Sequence, residues 1–199
     1  MAKDYGEYFN IAHIEPESHI YGPGKRFVIW FQGCSLACDG CWNQQMWSFK
    51  ARRLIHREDL LQLILNADGV KGVTFLGGEP LQQSENLNWL LGRIREKSGL
   101  TIFIYSGFEL AELSASGELF WLSELSDILV LGRYVQSLRT TTSQWRGSTN
   151  QQIVYPSGSR EQEKPSEVNQ TEIHIALDGG LTILGYPDEA LVIALSSIE

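Results

Sequence analysis

Only three cysteines occur in the chain, and they lie within eight residues in the segment QGCSLACDGCWNQQMW. They are Cys34, Cys38 and Cys41, which gives a C-x3-C-x2-C spacing. Thiolates are soft ligands that suit iron–sulfur clusters, and three of them can hold three irons of a four-iron cluster. Because the chain has no fourth cysteine, one iron would keep an open position, and the spacing therefore predicts a reactive [4Fe-4S] cluster.

Zinc and a disulfide are the alternative explanations of the three cysteines. Structural zinc takes four ligands, and the fourth usually follows at a short spacing of its own. None of the histidines has such a spacing to the cysteine segment; they are His13, His19, His56 and His174. A disulfide would leave the third thiol unpaired. The spacing therefore favours an iron–sulfur cluster, with zinc as the remaining metal alternative.

The composition is that of an ordinary soluble globular protein and excludes several classes of partner. The chain has 199 residues, of which 43% are hydrophobic and 20% are charged, and its net charge is −8. A negative chain lacks the surplus of Lys and Arg that binds a phosphate backbone, so no nucleic-acid partner is expected. The sequence has neither an apolar run of about 18 residues nor an apolar signal core. We therefore expect a cytoplasmic protein without a membrane contact.

Short apolar runs alternate with amphipathic segments along the chain. Strands are predicted at 26–31, 72–76, 100–105, 127–131 and 152–155, and helices at 57–67, 84–97 and 109–125, the last broken at Gly117. This alternation implies a parallel sheet with right-handed crossovers. The strands are too few for a closed eight-stranded barrel. The predicted fold class is therefore α/β, as an open, partial (β/α) barrel.

Three polar or glycine-rich segments each follow a predicted strand. They are the cysteine segment, the segment 77–80 (GGEP) and the pair Ser106-Gly107. In parallel α/β sheets, ligands bind beyond the carboxyl ends of the strands. We therefore expect these segments to gather on one rim of the sheet and to share a site.

The C-terminal part of the chain has a different character. Residues 156–171 are polar and contain proline, which is typical of a linker. Residues 171–185 predict a β-hairpin that turns at Asp178-Gly179-Gly180, and a short helix is expected after Pro187. The predicted organisation is a core domain over 1–156 and an extension over 157–199 that packs on or near it.

The cysteine segment, with Trp42 and Asn43 after it, resembles that of the radical S-adenosylmethionine enzymes. Four further segments resemble the same family in the same order: 21–26 (YGPGKR), 74–80 (TFLGGEP), 105–108 (YSGF) and 145–151 (WRGSTNQ). Within that family the chain is most similar to the activating enzymes of glycyl-radical enzymes, above all those of anaerobic ribonucleotide reductases. The resemblance covers about residues 8–155.

The resemblance implies a partial barrel of the radical S-adenosylmethionine type and a site without a catalytic side chain. It implies that Cys34, Cys38 and Cys41 bind a [4Fe-4S] cluster whose open iron chelates S-adenosylmethionine. It also implies cofactor-binding roles for Gly77, Gly78, Glu79, Pro80, Ser106, Trp42 and Asn43. Taken alone, the GGEP and Ser-Gly segments are also ordinary strand-end turns, and Trp42 is either a core residue or a shield over the cluster.

The resemblance further implies an enzyme that cleaves S-adenosylmethionine reductively and takes a hydrogen atom from a glycine of a glycyl-radical partner. The expected electron donor is a flavodoxin- or ferredoxin-type protein. One departure is Leu131, which stands before Gly132-Arg133 where the activating enzymes commonly carry an acidic residue. Together with the extension, it leaves two alternatives: an enzyme that modifies another peptide or a small molecule, and a non-catalytic iron–sulfur module.

Overall fold

One seven-stranded sheet organises the protein in the computed structural model, which describes residues 4–168 and 170–196. Its strands are β1 (Tyr8–Ser18), β2 (Arg26–Phe31), β3 (Arg53–His56), β4 (Gly72–Gly77), β5 (Thr101–Ser106), β6 (Ile128–Leu131) and β7 (Gln152–Val154). Their order across the sheet is β3-β1-β2-β4-β5-β6-β7. The four strands β2, β4, β5 and β6 are mutually parallel, whereas β1 is antiparallel to both its neighbours and β7 to β6.

Helices connect the parallel strands, as the sequence predicted. They are α1 (Arg57–Leu65), α2 (Ser84–Lys97), α3 (Leu110–Ser116) and α4 (Glu118–Leu125). The predicted break at Gly117 separates α3 from α4, where the residue has φ 81°. In α2, leucines at helical spacing bury one face, and Arg95 and Lys97 in the last turn complement the helix dipole.

The two faces of the sheet carry different side chains because neighbours along each strand point to opposite sides. The helix face packs against α1, α2, α3 and α4 with Phe27, Ile29, Phe31, Val73, Phe75, Ile102, Ile104, Leu129 and Leu131. The inner face consists of Val28, Trp30, Leu76, Phe103, Tyr105, Ile128 and Val130. Each central strand therefore belongs to two cores at once.

Loops and the C-terminal hairpin cover the inner face. The hairpin strands are β8 (Thr171–Ile175) and β9 (Leu181–Gly185), which pair antiparallel around the predicted turn. Leu184 of β9 packs among the inner-face residues of β2 and β4. Trp145 packs edge-to-face on Phe103 of β5, with the ring centroids 5.5 Å apart. The short helix α5 (Glu189–Ser196) follows Pro187, where a terminal helix was expected.

Arg26 is a buried cation at the start of β2, on the inner-face side. Its side chain is 1% exposed, and its guanidinium donates to the carbonyls of Pro23, Val73 and Thr101 and to two threonine hydroxyls. Burial lowers the pKa of Arg26 to about 10. The GPGKR segment therefore forms the turn that places a structural arginine.

The outer strands show where the sequence-based prediction of the fold was incomplete. Strands β1 and β3 were not predicted, and the predicted fifth strand, β7, joins the sheet antiparallel rather than by a crossover. β1 is irregular because its pairing with β2 shifts register twice, once close to Pro16. The mixed, mostly parallel sheet agrees with the α/β class, and the closure into a partial barrel stays a prediction. No helix in the described residues is long and apolar enough to cross a membrane.

Candidate functional site

A small cavity of about 110 Å³ lies where the parallel strands end, and all three cysteines line it. The segments that follow β2, β4 and β5 meet there, as their positions after strand ends predicted. The lining residues are Cys34, Leu36, Cys38, Cys41, Asn43, Trp47, Leu76, Gly77, Gly78, Glu79, Tyr105, Ser106, Gly107, Gly132, Tyr134, Gln151 and Tyr186.

The cysteines lie on a loop that is closed at its base by backbone hydrogen bonds. Gly33 N donates to Met46 O at 2.8 Å, and Cys34 N donates to Trp47 O at 3.1 Å. Near the end of the loop, Asn43 N donates to Cys41 Sγ at 3.4 Å. These bonds hold a short loop whose three thiols face one cavity.

The environment of the thiols fits a cationic metal centre. Burial raises the pKa of Cys34 to about 11 and also raises the pKa of Cys38, while backbone N–H groups of Leu36 and Ala37 lower the pKa of Cys34. A bound metal deprotonates a coordinating thiol, and the amide donors then stabilise the thiolate. Among the described residues, no three His, Cys, Asp or Glu side chains converge on one metal ion. A cluster does not need such a point, because its cysteines bind different irons.

Glu79 is 1% exposed and ties the end of β4 to the end of β5. Its Oε1 accepts from Leu81 N and from Ser106 Oγ, both at 3.0 Å, and its Oε2 accepts from Gly107 N at 2.7 Å. Burial raises the pKa of Glu79 to about 7, against the lowering effect of these hydrogen bonds. A carboxylate oxygen can accept two hydrogen bonds, so Oε2 keeps acceptor capacity toward the cavity.

Gly77 and Gly78 pack against the backbone at the end of β2. A Cβ on Gly78 would lie 2.5 Å from Gly33 O, and one on Gly77, which has φ +108°, would lie 2.6 Å from Phe31 N. Gly78 N also donates to Phe31 O at 2.8 Å. The two glycines are therefore required by the approach of β4 to the cysteine loop, whether or not a ligand also approaches them.

The remaining predicted site residues divide into two groups. Asn43 and Ser106 line the cavity; Asn43 Nδ2 donates to Gly77 O at 3.3 Å, and the Ser106 hydroxyl donates to Glu79. Pro80 and Trp42 are not among the described lining residues. Pro80 begins a buried 3-10 turn, and Trp42 is 40% exposed with its ring against Tyr186.

Several lining residues were not predicted from the sequence. Gln151 lies in the WRGSTNQ segment, and its Nε2 donates to Gly132 O at 3.0 Å, so that segment had marked the region without singling out this residue. Tyr134 follows β6 closely, a position that shares the strand-end signal. Tyr186 comes from the extension, and no local pattern indicated that it would reach the cysteines.

Leu131 lies outside the cysteine cavity. It is 1% exposed on the helix face and borders a separate cavity of about 630 Å³, which shares only Gly132 with the cysteine cavity among their lining residues. Arg133, which follows Gly132, forms a bidentate ion pair with Glu112. Leu131 therefore lines the neighbouring cavity and not the cavity of the thiols.

Comparisons with known proteins agree with this geometry. A family model described as a 4Fe-4S single cluster domain matches residues 20–154. The chain is 32% identical over 151 residues to the anaerobic ribonucleoside-triphosphate reductase-activating protein of Escherichia coli (strain K12), an alignment that covers 72% of this chain and 97% of that relative.

Relatives with the same name occur in other sources. Identity is 32% over 151 residues to the protein of Haemophilus influenzae, with 72% of this chain and 96% of the relative covered. It is 29% over 152 residues to that of Enterobacteria phage T4, with 72% and 92% covered. The chain therefore belongs to the 4Fe-4S single cluster domain family that includes the anaerobic ribonucleoside-triphosphate reductase-activating proteins.

Proposed function

We propose that the chain is a radical S-adenosylmethionine enzyme that activates a glycyl-radical enzyme. The observation that carries the proposal is the meeting of three thiols, residues 77–79 of the GGEP segment and Ser106-Gly107 in one cavity at the carboxyl ends of parallel strands. The names of the relatives support an activating role. The proposal includes a partial barrel formed by the core over 1–156, a protein or peptide target, a flavodoxin- or ferredoxin-type electron donor and a cytoplasmic location.

The bound cofactors would supply the chemistry, which is the one-electron reductive cleavage of S-adenosylmethionine to methionine and a 5′-deoxyadenosyl radical able to take a hydrogen atom from the target glycine. Cys34, Cys38 and Cys41 would hold the cluster. The residues around them provide binding and orientation, not acid–base catalysis. Leu36, Leu76 and the apolar part of Tyr105 give the cavity an apolar part of its lining, which would limit access of water to a reactive intermediate.

Glu79 has two roles in this proposal. Its hydrogen bonds to Ser106 and Gly107 fix the ends of β4 and β5, and its Oε2 offers an acceptor for the ammonium of the methionine portion. With a pKa of about 7, the carboxyl group is partly protonated near neutral pH, and a cationic ligand beside it would favour the charged form.

The test is the production of 5′-deoxyadenosine by anaerobically reconstituted, reduced protein supplied with S-adenosylmethionine. Formation of 5′-deoxyadenosine and methionine in equal amounts, lost in Cys34→Ala, Cys38→Ala and Cys41→Ala, would support the proposal. A full cluster that binds no S-adenosylmethionine would contradict it and favour a non-catalytic iron–sulfur module.

A second candidate function keeps the cofactors and changes the target to another peptide or a small molecule. Two observations favour it: Leu131 borders a cavity of about 630 Å³, and the extension beyond residue 154 lies outside the family match. Adding a candidate anaerobic reductase separates the two. A glycyl-radical signal by electron paramagnetic resonance supports the activating enzyme. Cleavage of S-adenosylmethionine without that signal, although the reductase is radical-competent with its own activase, supports the second candidate.

A further inference from the structure

Tyr186 belongs to the C-terminal extension, beyond the family match, yet its side chain lines the cysteine cavity beside Cys41. We propose that Tyr186 is a positioning residue of this cavity, and the role toward the organic cofactor rests on the proposed function. Its ring packs against Trp42, holds with it the end of the cysteine loop, and forms part of the cavity lining. The extension is then a part of the site and not a separate module.

The Tyr186 side chain lies between two segments of the core, one that contains Trp42 and one that contains Gly147. Its ring meets the ring of Trp42 edge-to-face, with centroids 6.3 Å apart and planes at 89°. On the other side, a Cβ on Gly147 would lie 3.0 Å from Tyr186 Oη and 3.2 Å from its Cζ. A side chain at 147 would therefore require the tyrosine ring to shift by a few tenths of an ångström. Tyr186 therefore contacts both the cysteine loop and the segment that precedes β7.

Both chain neighbours of Tyr186 form hydrogen bonds with the core, and these bonds hold the backbone of Tyr186 in place. Gly185 N donates to Tyr21 Oη at 2.8 Å, and Pro187 O accepts from Arg139 Nη2 at 2.8 Å. Pro187 also restricts the backbone of the residue before it to extended conformations. The tyrosine is thus held from both sides at the point where the chain leaves β9.

Arg139 contacts both the residue after Tyr186 and the ring of Trp42. While it donates to Pro187 O, its guanidinium carbon also lies 4.8 Å from the centroid of the Trp42 ring. Trp42 follows Cys41 directly. The extension, Arg139 and the end of the cysteine loop therefore form one set of contacts, and a change at Tyr186 is transmitted to a cluster ligand through Trp42.

The hairpin supplies the position of Tyr186 through its own contacts with the core. Glu172 of β8 accepts from Ser18 Oγ at 2.5 Å and from His19 N at 2.8 Å. Leu184 of β9 is 6% exposed in the core of the inner face. Glu172 and Leu184 lie far along the chain from the cysteines, so only the folded hairpin can bring residue 186 to the cavity.

The experiment compares the rate at which reconstituted protein loses iron to a colorimetric ferrous chelator, without oxygen and well below the melting temperature of every variant. Tyr186→Ala removes the ring, and Tyr186→Phe keeps the ring and removes the hydroxyl. Tyr155→Ala is the matched control, because Tyr155 is a partly buried tyrosine whose hydroxyl donates to Glu163 O and which does not line the cavity. Binding of S-adenosylmethionine to the same samples is measured by equilibrium dialysis.

We expect Tyr186→Ala to lose iron and to release S-adenosylmethionine about three- to tenfold more readily, the effect of one aromatic contact. Tyr155→Ala should behave as the unchanged protein, and Tyr186→Phe, which keeps the ring, should lose iron more slowly than Tyr186→Ala. Equal iron loss in Tyr186→Ala and the unchanged protein would overturn the inference, as would the same increase in Tyr155→Ala. Failure of the proposed function would be seen separately, as a full cluster in the unchanged protein that yields no 5′-deoxyadenosine.

Discussion

The helix face and the inner face of the sheet are built from alternate residues of the same strands, yet they carry different kinds of side chain. The helix face is uniformly apolar: Ile29, Phe75 and Ile104 pack under the helices that connect the strands. The inner face carries a buried arginine at the amino end of β2, aromatic residues along its middle and the cysteine cavity at its carboxyl rim. Both faces therefore contribute packed cores, and the three thiols lie at the rim of the inner face alone.

The faces also differ in how local their contacts are. Helices that pack on the helix face follow in sequence directly after the strands they cover, so short-range patterns specify them. The inner face is completed by residues from distant parts of the chain, including Trp145, Leu184 and Tyr186. The packing of this face therefore depends on long-range contacts that short-range patterns do not specify.

Removing one cluster ligand should give the largest effect. Cys38→Ala leaves two thiolates, so we expect complete loss of the cluster, measured as iron and sulfide content and visible absorption. Cys38 is only half-buried in a loop, so the free energy of unfolding of the apoprotein should change by about 0.5 kcal/mol at most. Ser35→Ala, an exposed change in the same loop, is the control and should keep the cluster. A full cluster in Cys38→Ala would contradict the proposal that Cys38 binds the cluster at the rim.

Removing the buried cation of the inner face should give the largest loss of stability. Arg26→Ala leaves the carbonyls of Val73 and Thr101 buried without their donor, and we expect a loss of about 4–5 kcal/mol in the free energy of unfolding by chemical denaturation. Arg93→Ala, on the exposed side of α2, should cost about 0.5 kcal/mol or less. Equal effects of the two changes would mean that the inner face does not depend on its arginine.

A cavity in the helix face should lower stability and leave the site intact. Leu90 of α2 is fully buried, and Leu90→Ala should cost about 3–4 kcal/mol. Leu63→Ala is the control, since Leu63 of α1 is 44% exposed and should contribute little. At a temperature where Leu90→Ala remains folded, its iron content should equal that of the unchanged protein. Loss of the cluster from this variant while it is still folded would contradict the prediction that a cavity in the helix face leaves the site intact.

The pH dependence of stability should report the buried carboxyl group of Glu79. Its pKa is about 7 in the folded protein and near 4.5 when unfolded, so between these values the folded chain keeps a proton that the unfolded chain has released. The contribution of Glu79 is thus fully present below pH 4.5 and decreases by about 2–3 kcal/mol as pH rises to 7. Denaturation of the apoprotein and of Glu79→Gln across this range measures it as the difference in slope. Identical slopes would contradict the raised pKa.

Local patterns predicted the helix face and most of the rim. Leucines at helical spacing gave α2 its bounds, and the glycine and cysteine segments at strand ends indicated where the cavity lies. β1 was missed because Pro16 and its register shifts interrupt the alternation that marks a strand. Tyr186 could not be found from its neighbours in the sequence, because its place depends on the hairpin packing against Ser18, His19 and Tyr21.

We propose that the rim of the inner face holds an iron–sulfur cluster and S-adenosylmethionine in the same cavity. The most direct test is an anaerobic titration of the reduced cluster with S-adenosylmethionine, followed by electron paramagnetic resonance. We expect the spectrum of the cluster to change and the change to saturate at one S-adenosylmethionine per cluster, because the open iron would bind it. A cluster present in full whose spectrum does not respond at saturating S-adenosylmethionine would contradict the claim.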